Sequence, residues 1–429
     1  MISSLAELEN DRVVTVKRSP VRVLHVINGE DYAGAERVQD TLALRLPDYG
    51  YEVGFACLKP RRFAEARRAK AAPLFELPMR GKLDLSPVRR LAGIVRDGNY
   101  RLVHTHTPRT ALVGLPAARL SGVPLIHHVH CQTAVEVGRR RWQDRLNLVV
   151  ERLATYPAAK VLAVSASLHR YLLSRGYSPR QLRLTPNGVP VRRSVASAER
   201  PPTIGMIALF RPRKGLEVLL RSLSLLRQQG CPVRFRAVGR FQSPEYEKSV
   251  KRLAKTEGID ELIEWTGFRE DVNAELAEMD ALVLPSLVSE AMPMSALEAM
   301  AAGVVVIGTR VDGITDLIVD GVDGLLARPG DAVGLAAVIH KAMGGEIDTQ
   351  PLRLHALRKQ RSCYSDASMA AGVADVYEEV LNVGNVGWDP RACERRPTDD
   401  WDVANGGPAL ASSLVPPYGE AQPGETNKT

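Results

Sequence analysis

Two glutamates, Glu290 and Glu298, stand eight residues apart in Ser289-Glu290-Ala291-Met292-Pro293-Met294-Ser295-Ala296-Leu297-Glu298-Ala299-Met300-Ala301-Ala302-Gly303. Glu290 falls in the loop after the apolar run Ala281–Pro285, and Glu298 on the helix that Pro293 opens. A helix N-terminus presents unpaired backbone N–H groups and the positive end of its dipole, which suits a diphosphate. One carboxylate at the mouth of that helix and a second further along can grip two separate hydroxyl-bearing rings. Spacing alone also fits two solvated glutamates flanking a surface helix, the commonest fate of such a pair.

Other clusters carry chemistry of their own. Phe210-Arg211-Pro212-Arg213-Lys214-Gly215 follows a strand and places cations where they can neutralise a leaving diphosphate, although an isolated run of this kind is more often a solvated turn. Gly29-Glu30-Asp31-Tyr32-Ala33-Gly34-Ala35-Glu36-Arg37 follows the first strand. Its small residues let backbone approach a ligand, and the helix starting near Ala35 can help to hold a phosphate; turn geometry alone also explains such loops. No G-x-G-x-x-G occurs, so a nicotinamide-type dinucleotide site has no support. His104, His106, His127, His128 and His130 are five of the nine histidines. They suggest zinc, but they lie on two adjacent strand ends and no Cys or carboxylate set completes a site, so no metal is expected.

The elements that must position these groups alternate. Strands are predicted at Arg22–Ile27, Val53–Leu58, Leu102–His104, Pro124–His130, Lys160–Val164 and Leu182–Thr185. Helices open at Ser86-Pro87 and Thr107-Pro108 and close at Gly98 and Gly122. Such βα alternation argues for parallel sheets, in which ligands bind at the carboxyl edge of the strands. The pattern lapses over 189–202, which reads as a linker between a first α/β unit at 21–188 and a second at 203–345. The second holds strand Thr203–Leu209, helix Leu216–Gln228 and strand Arg234–Val238. Helices Leu352–Arg361 and Asp366–Leu381 occupy a closing segment, 346–385. Residues 1–20 form an extension and 386–429 a Pro/Gly/Ser/Asp-rich tail expected to be disordered. Asp400-Trp401-Asp402 is a literal D-x-D in that tail, outside any sheet, and reads as coincidence.

At 429 residues, 45% hydrophobic and 25% charged, the chain has the makeup of a soluble protein of two domains. Residues 1–20 contain no long apolar run, which argues against a secretory signal, and no stretch is long enough to span a bilayer. The five cysteines are scattered and form no C-x-x-C, as expected of reduced thiols in a cytoplasmic protein without structural zinc. Charge divides unevenly: residues 1–200 hold 33 Lys and Arg against 17 Asp and Glu, and residues 201–429 hold 24 against 32. The basic first half implies an anionic partner. Aromatic residues are scarce around its densest clusters, Lys59–Lys70 and Arg139-Arg140-Arg141, and no nucleic-acid motif appears. Phe63, Ala64, Ala66 and Ala69, interleaved with the first cluster, suggest a basic amphipathic face able to lie on an anionic membrane; an ordinary solvated helix fits equally.

The stretch from Ala281 through Ser289-Glu290-Ala291-Met292-Pro293-Met294 and Glu298 to Gly303, continued by Asp312-Gly313-Ile314 and Asp320-Gly321-Val322-Asp323-Gly324, resembles the E-x7-E signature of the retaining glycosyltransferases of family 4. The resemblance covers about residues 21–382. It implies a GT-B fold, two Rossmann-like parallel-sheet domains facing across a cleft, with the acceptor on the first and a nucleotide-sugar donor, of UDP or GDP type, on the second. It further implies that Glu290 approaches the donor sugar and that Glu298 binds the ribose. Lys214, with Arg211 and the N–H groups at Met292, Pro293, Met294 and Ser295, would hold the diphosphate, and Gly34 would face it in a loop similar to the family's G-G-A-E-R. His130 closes a segment similar to the family's P-V-V-x-T-x-H and is, with Glu290, the catalytic candidate; His104 and His106 read as packing or acceptor-side residues. Three departures stand out: Ala291 and Ala33 replace glycines, and Leu209 takes the usual arginine position, with Arg211 two residues later.

These readings converge on a cytoplasmic enzyme, peripheral on the inner face of the membrane, moving a sugar to a glycan, lipid-linked or small-molecule acceptor in cell-envelope synthesis. No cofactor and no nucleic acid are expected. A GT-B nucleotide-sugar epimerase and a non-enzymatic basic protein binding anions or membranes are the rivals.

Overall fold

Each strand of the first half returns to the same edge through a helix, so its sheet is parallel throughout. The computed structural model describes residues 19–81, 83–132, 152–192 and 201–381. Val21–Ile27 (β1), Tyr51–Cys57 (β2), Leu74–Glu76 (β3), Leu102–Thr105 (β4), Leu125–Val129 (β5), Lys160–Ala163 (β6) and Leu182–Leu184 (β7) form one sheet, in the order β3-β2-β1-β4-β5-β6-β7. Thr203–Ile207 (β8), Arg234–Val238 (β9), Ile263–Gly267 (β10), Ala281–Leu284 (β11), Val305–Thr309 (β12) and Leu325–Ala327 (β13) form the second, in the order β10-β9-β8-β11-β12-β13. Every residue of β4, β5, β11 and β12 is buried, because helices cover both faces; that is why these strands read as apolar runs without alternation.

Both orders reverse at one point, between β1 and β4 and between β8 and β11. Connections leave these neighbours in opposite directions and open a crevice at their carboxyl ends. The loops after β1, β4, β8 and β11 are therefore the places where a ligand meets backbone. They carry Gly34, His106, Lys214 and Glu290 respectively.

Local chemistry sets the helix ends. Thr107 accepts from the Thr110 amide and Pro108 occupies the first turn of helix Pro108–Ser121, which Gly122 closes at φ 69°. At the other end of the chain, helix Asp366–Leu381 returns to the first sheet. The Val189 amide donates to Tyr364 (2.9 Å) and the Asp366 amide to Val189 (3.0 Å), so the outgoing and returning segments are bonded side by side. A Cβ on Gly188 would lie 2.0 Å from the Ser365 carbonyl oxygen, so only glycine permits this crossing. The returning helix buries Tyr377 completely among Val23, Phe55, Leu102 and Ile126. Covering a tyrosine, about 200 Å², contributes roughly 5 kcal/mol before entropy is charged.

Some expectations need correcting. The edge strands β3 and β10 were not foreseen: one is only three residues long and the other is nowhere fully buried. The Lys59–Lys70 segment is not an exposed amphipathic helix. Its helix is five residues, Arg62–Ala66; Phe63 is fully buried and Ala69 nearly so, while Arg67 donates to the carbonyls of Ala69 and Ala72. The apolar side of the segment is thus spent on the protein's own core, and Arg61, Arg62, Arg68 and Lys70 remain as an exposed charged face. The Arg139–Arg141 cluster, Asp400-Trp401-Asp402, the tail beyond residue 381, residues 193–200 of the linker and residues 1–18 lie outside the described residues. Among the described residues no helix is long and apolar enough to cross a membrane.

Candidate active site

The loops after β8 and β11 are laced together by backbone. The Leu287 amide donates to the Arg213 carbonyl (2.9 Å). Gly215, at φ 71°, closes the turn Pro212–Lys214 so tightly against the next loop that a Cβ would sit 1.9 Å from the Pro285 carbonyl oxygen. Glu290 is fixed the same way: its amide donates to Asp312 (2.9 Å), and a Cβ on Gly313 (φ 81°) would lie 1.9 Å from its carbonyl oxygen. Two left-handed glycines thereby set the spacing between the cationic turn and the acidic loop.

That spacing brings side chains together. Lys214 Nζ lies 2.6 Å and Ser286 Oγ 2.7 Å from Glu290 Oε1, and Arg213 Nη2 lies 3.6 Å from Oε2. Glu290 is 7% exposed. Burial pushes its carboxyl upward, but Lys214, Arg213 and Ser286 outweigh it and hold the group below the usual glutamate range. Burial lowers Lys214, with repulsion from Arg213 and Arg211 added and Glu290 opposing, so the ammonium titrates below an ordinary lysine. Arg213, which sequence reasoning passed over, is thus the arginine bonded to the acidic loop. Arg211 makes no ion pair among the described residues, and its buried Nε has no partner.

Helix Met294–Ala302 begins beside this cluster with no side-chain cap, leaving its first N–H groups open. Met292 and Pro293 are buried; Met294 and Ser295 are partly exposed. Pro293 has no N–H, so it shapes the turn and cannot itself donate to a phosphate. Directly across, helix Gly34–Arg45 of the first half also starts without a side-chain cap, and a Cβ on Gly34 would touch Met294 Cγ at 3.4 Å. Two helix N-termini therefore converge on one space; the first already carries the Glu36 carboxylate on its Glu36 and Ala33 N–H groups, so the Met294 end is the one open to an anion.

Glu298, 4% exposed, faces that space but is bonded to the Arg37 guanidinium from the first half. The sequence gives Arg37 no role of its own, because its partner lies 261 residues away, which no local signal reveals. Glu36 beside it is pushed upward by burial, against its own and the Ala33 backbone N–H groups.

His130 belongs to a different group. It makes no hydrogen bond to Glu290 or Lys214 among the described residues; its Nε2 lies 3.1 Å from His106 Nδ1. His25 on β1, not singled out in the sequence, stands in register with His104 on β4. His25, His104, His106 and His128 are buried, and His130 is half-buried. His25, His104 and His106, and separately His106, His128 and His130, each place three ring nitrogens within 4.8 Å of one another, close enough for a metal triad. Both nitrogens of His106 are already engaged, however, by His25 and His130 at 3.1 Å each.

Comparison with known proteins agrees with this architecture. Residues 32–193 match glycosyltransferase family 4 and residues 201–344 match the glycosyl transferases of group 1. The amylovoran biosynthesis glycosyltransferase AmsK of Erwinia amylovora is 27% identical over 253 residues, 55% of this chain and 61% of that protein. The 2-deoxystreptamine glucosyltransferase of Streptomyces kanamyceticus is 29% identical over 295 residues, 63% of this chain and 74% of that one. The match thus spans less than two thirds of the first relative's length. The crystal structure of Anabaena Alr3699/HepE in complex with UDP and glucose shares the fold at TM-score 0.73 and 20% identity, covering 84% of this chain and all of that one. With both halves matched in order and both sheets in place, the chain belongs to the group 1 glycosyltransferases of the GT-B fold.

Proposed function

We propose that this chain transfers a sugar, with retention of configuration, from a UDP- or GDP-type donor to a glycan, lipid-linked or small-molecule acceptor in polysaccharide or glycolipid synthesis. The observation that carries the proposal is Glu290, held by Lys214 and Ser286 beside an uncapped helix N-terminus at the switch point of the second sheet. Crystallisation of Anabaena Alr3699/HepE with UDP and glucose supports a uridine donor.

In this reading the second half binds the donor and the first half the acceptor. The diphosphate lies at the N-terminus of helix Met294–Ala302, against Lys214 and Arg213, with Arg211 at the rim and Gly34 opposite. These cations and N–H groups stabilise the charge that grows as the bond between the sugar and the diphosphate breaks. Glu290 orients the donor sugar and Glu298 takes the ribose hydroxyls. The acceptor hydroxyl attacks the anomeric carbon from the side the diphosphate leaves, and its proton passes to a diphosphate oxygen. His130 hydrogen-bonds a sugar hydroxyl. The exposed arginines around Arg62 supply an electrostatic contact for an anionic membrane face, placing the enzyme at the inner surface of the cytoplasmic membrane.

The test is product stereochemistry. With a UDP-α-sugar and a membrane or glycan fraction as acceptor, proton NMR should show an α-linked product. A β-linked product refutes retention, and sugar epimerised without transfer refutes the transferase.

A further inference from the structure

A second set of reactive side chains lies away from the cleft, where two helices of the second half end side by side. Helix Leu216–Gln228 is followed by Gly230 at φ 77°, and the Cys231 amide donates back to the Leu226 carbonyl (2.9 Å). Helix Ala332–Met343 packs against it and carries His340 in its last turn. The Gly344 amide donates to the His340 carbonyl (2.7 Å), and a Cβ on Gly344 would lie 2.7 Å from that oxygen and 3.5 Å from His340 Nε2. Gly345, at φ 78°, then turns the chain so that Glu346 comes back to the imidazole. Three side chains end in a row: Cys231 Sγ lies 3.1 Å from His340 Nε2, and His340 Nδ1 lies 2.8 Å from Glu346 Oε1. Strand β9 begins three residues after Cys231, so the row sits at the amino edge of the parallel second sheet, opposite the edge that carries Lys214 and Glu290.

The neighbours of His340 fix its tautomer. An ionised carboxylate only accepts hydrogen bonds, so Nδ1 carries its proton toward Glu346, and Nε2 of the neutral ring is bare. The bare nitrogen faces the sulfur, so the thiol is the donor and His340 stands ready to take its proton. A nucleophile within reach of a base, with the base oriented by a third group, is the arrangement that activates a thiol. Both helices end at this point, and their negative ends favour the imidazolium that the transfer creates. That cation in turn holds the thiolate beside it. Cys57 shows the contrast: it is buried, and its Sγ donates to the Asn28 carbonyl, which cannot take a proton from it. Cys231 is partly exposed between exposed Gly230 and Pro232, so this corner of the surface is open to a small reagent.

We propose that Cys231, His340 and Glu346 form a thiol–disulfide exchange site, at which Cys231 takes up half of a small disulfide as a mixed disulfide. His340 removes the thiol proton and the thiolate attacks one sulfur of the disulfide. A new S–S bond forms as the old one breaks, and the departing thiolate takes the proton from His340. The small disulfide is the oxidant: Cys231 is oxidised, and the released small thiol is the reduced product. Exchange needs a line of approach to the sulfur and no cradle for a developing oxyanion, which suits a thiol at a helix end. A second small thiol reverses the step. The site is independent of sugar transfer and of the residues assigned to it.

Full-length protein is exposed to 2-hydroxyethyl disulfide at neutral pH, and the mixed disulfide at each cysteine is followed in time by peptide mass spectrometry. Cys231 should react roughly tenfold faster in the unaltered protein than in His340→Ala, because only a few per cent of an unassisted thiol is thiolate at this pH. The exposed Cys131, measured in the same samples, should keep one rate. Added imidazole should return much of the lost rate at Cys231 in His340→Ala, which a change of packing alone would not give. Glu346→Ala, at an exposed position, should slow Cys231 severalfold, and it decides the matter if His340→Ala does not fold. Equal rates at Cys231 in the unaltered protein and in the folded variants overturn the inference. So does a Cys231 that stays unmodified while Cys131 is consumed.

Discussion

Arg37 and Glu298 form an ion pair that ties the first helix of one sheet to the donor-side helix of the other, and it occupies the carboxylate assigned to the nucleotide ribose. Glu298 is 5% exposed in its side chain and Arg37 32%, so the pair is sheltered on one side only. Arg37 reaches only Oε1, so a ligand that uses Glu298 shares the carboxylate with Arg37 or competes with it.

Arg37→Gln should therefore separate stability from affinity. Loss of the cation leaves Glu298 buried without its partner, and about 1–2 kcal/mol of stability should go, discounted for the exposure of Arg37. Nucleotide diphosphate binding should tighten severalfold, because Arg37 no longer competes for the carboxylate. Denaturation and titration calorimetry on the same variant check both; weaker binding would show that Arg37 serves the ligand itself.

The Lys214–Glu290 pair predicts pH behaviour at both ends. Glu290 has a lower pKa folded than unfolded, so its stabilising contribution is present above about 4.3, the ordinary glutamate value, and fades as pH falls through the folded value. Glu290→Gln should flatten that acid-side loss in denaturation curves and lower turnover by about 10²–10³-fold. Lys214 titrates below an ordinary lysine, so the alkaline limb of kcat/KM in the free enzyme should fall earlier than about 10.4. Lys214→Arg should move that limb upward.

Gly313→Ala tests the backbone spacing behind the site. A methyl there meets the Glu290 carbonyl at 1.9 Å in a left-handed conformation, so about 3 kcal/mol of stability and most activity should be lost. Gly230→Ala has a similar φ, 77°, but nothing within 4 Å. It should cost about 1 kcal/mol and leave turnover unchanged. Equal losses of activity in the two variants would deny Gly313 its role.

The architecture was legible because its signals are local. Apolar runs marked the parallel strands, Thr107-Pro108 and Gly122 marked a helix, and the E-x7-E run placed Glu290 at a strand end. Partnerships formed by sheet order were not. Arg37 meets Glu298, and His25 meets His104, only because of how the strands and halves are arranged. Arg213 was overlooked for Arg211 because residues in a tight turn point different ways, and it is the backbone bond between Leu287 and Arg213, formed across two loops, that sets Arg213 beside Glu290. Lys59–Lys70 looked amphipathic because alternating Ala and Arg read alike on a surface helix and on a loop folded over its own Phe63.

Membrane contact, if it rests on that exposed face, should be purely electrostatic, since Phe63 is unavailable. Sedimentation with anionic vesicles should be abolished by moderate salt and weakened by Arg61→Glu with Arg62→Glu. Binding to neutral vesicles, or salt-resistant binding, would contradict this.

The most direct measurement is a thermal-shift panel of UDP, GDP, ADP and CMP on the unaltered protein and on Lys214→Ala, each against its own unliganded midpoint. A selective rise with one diphosphate, UDP first, should appear in the unaltered protein. In Lys214→Ala it should be lost or reduced in step with a roughly 10–100-fold weaker Kd. A flat response from folded protein, or an equal rise in the variant, would contradict a diphosphate site built on Lys214, Glu290 and the helix that follows.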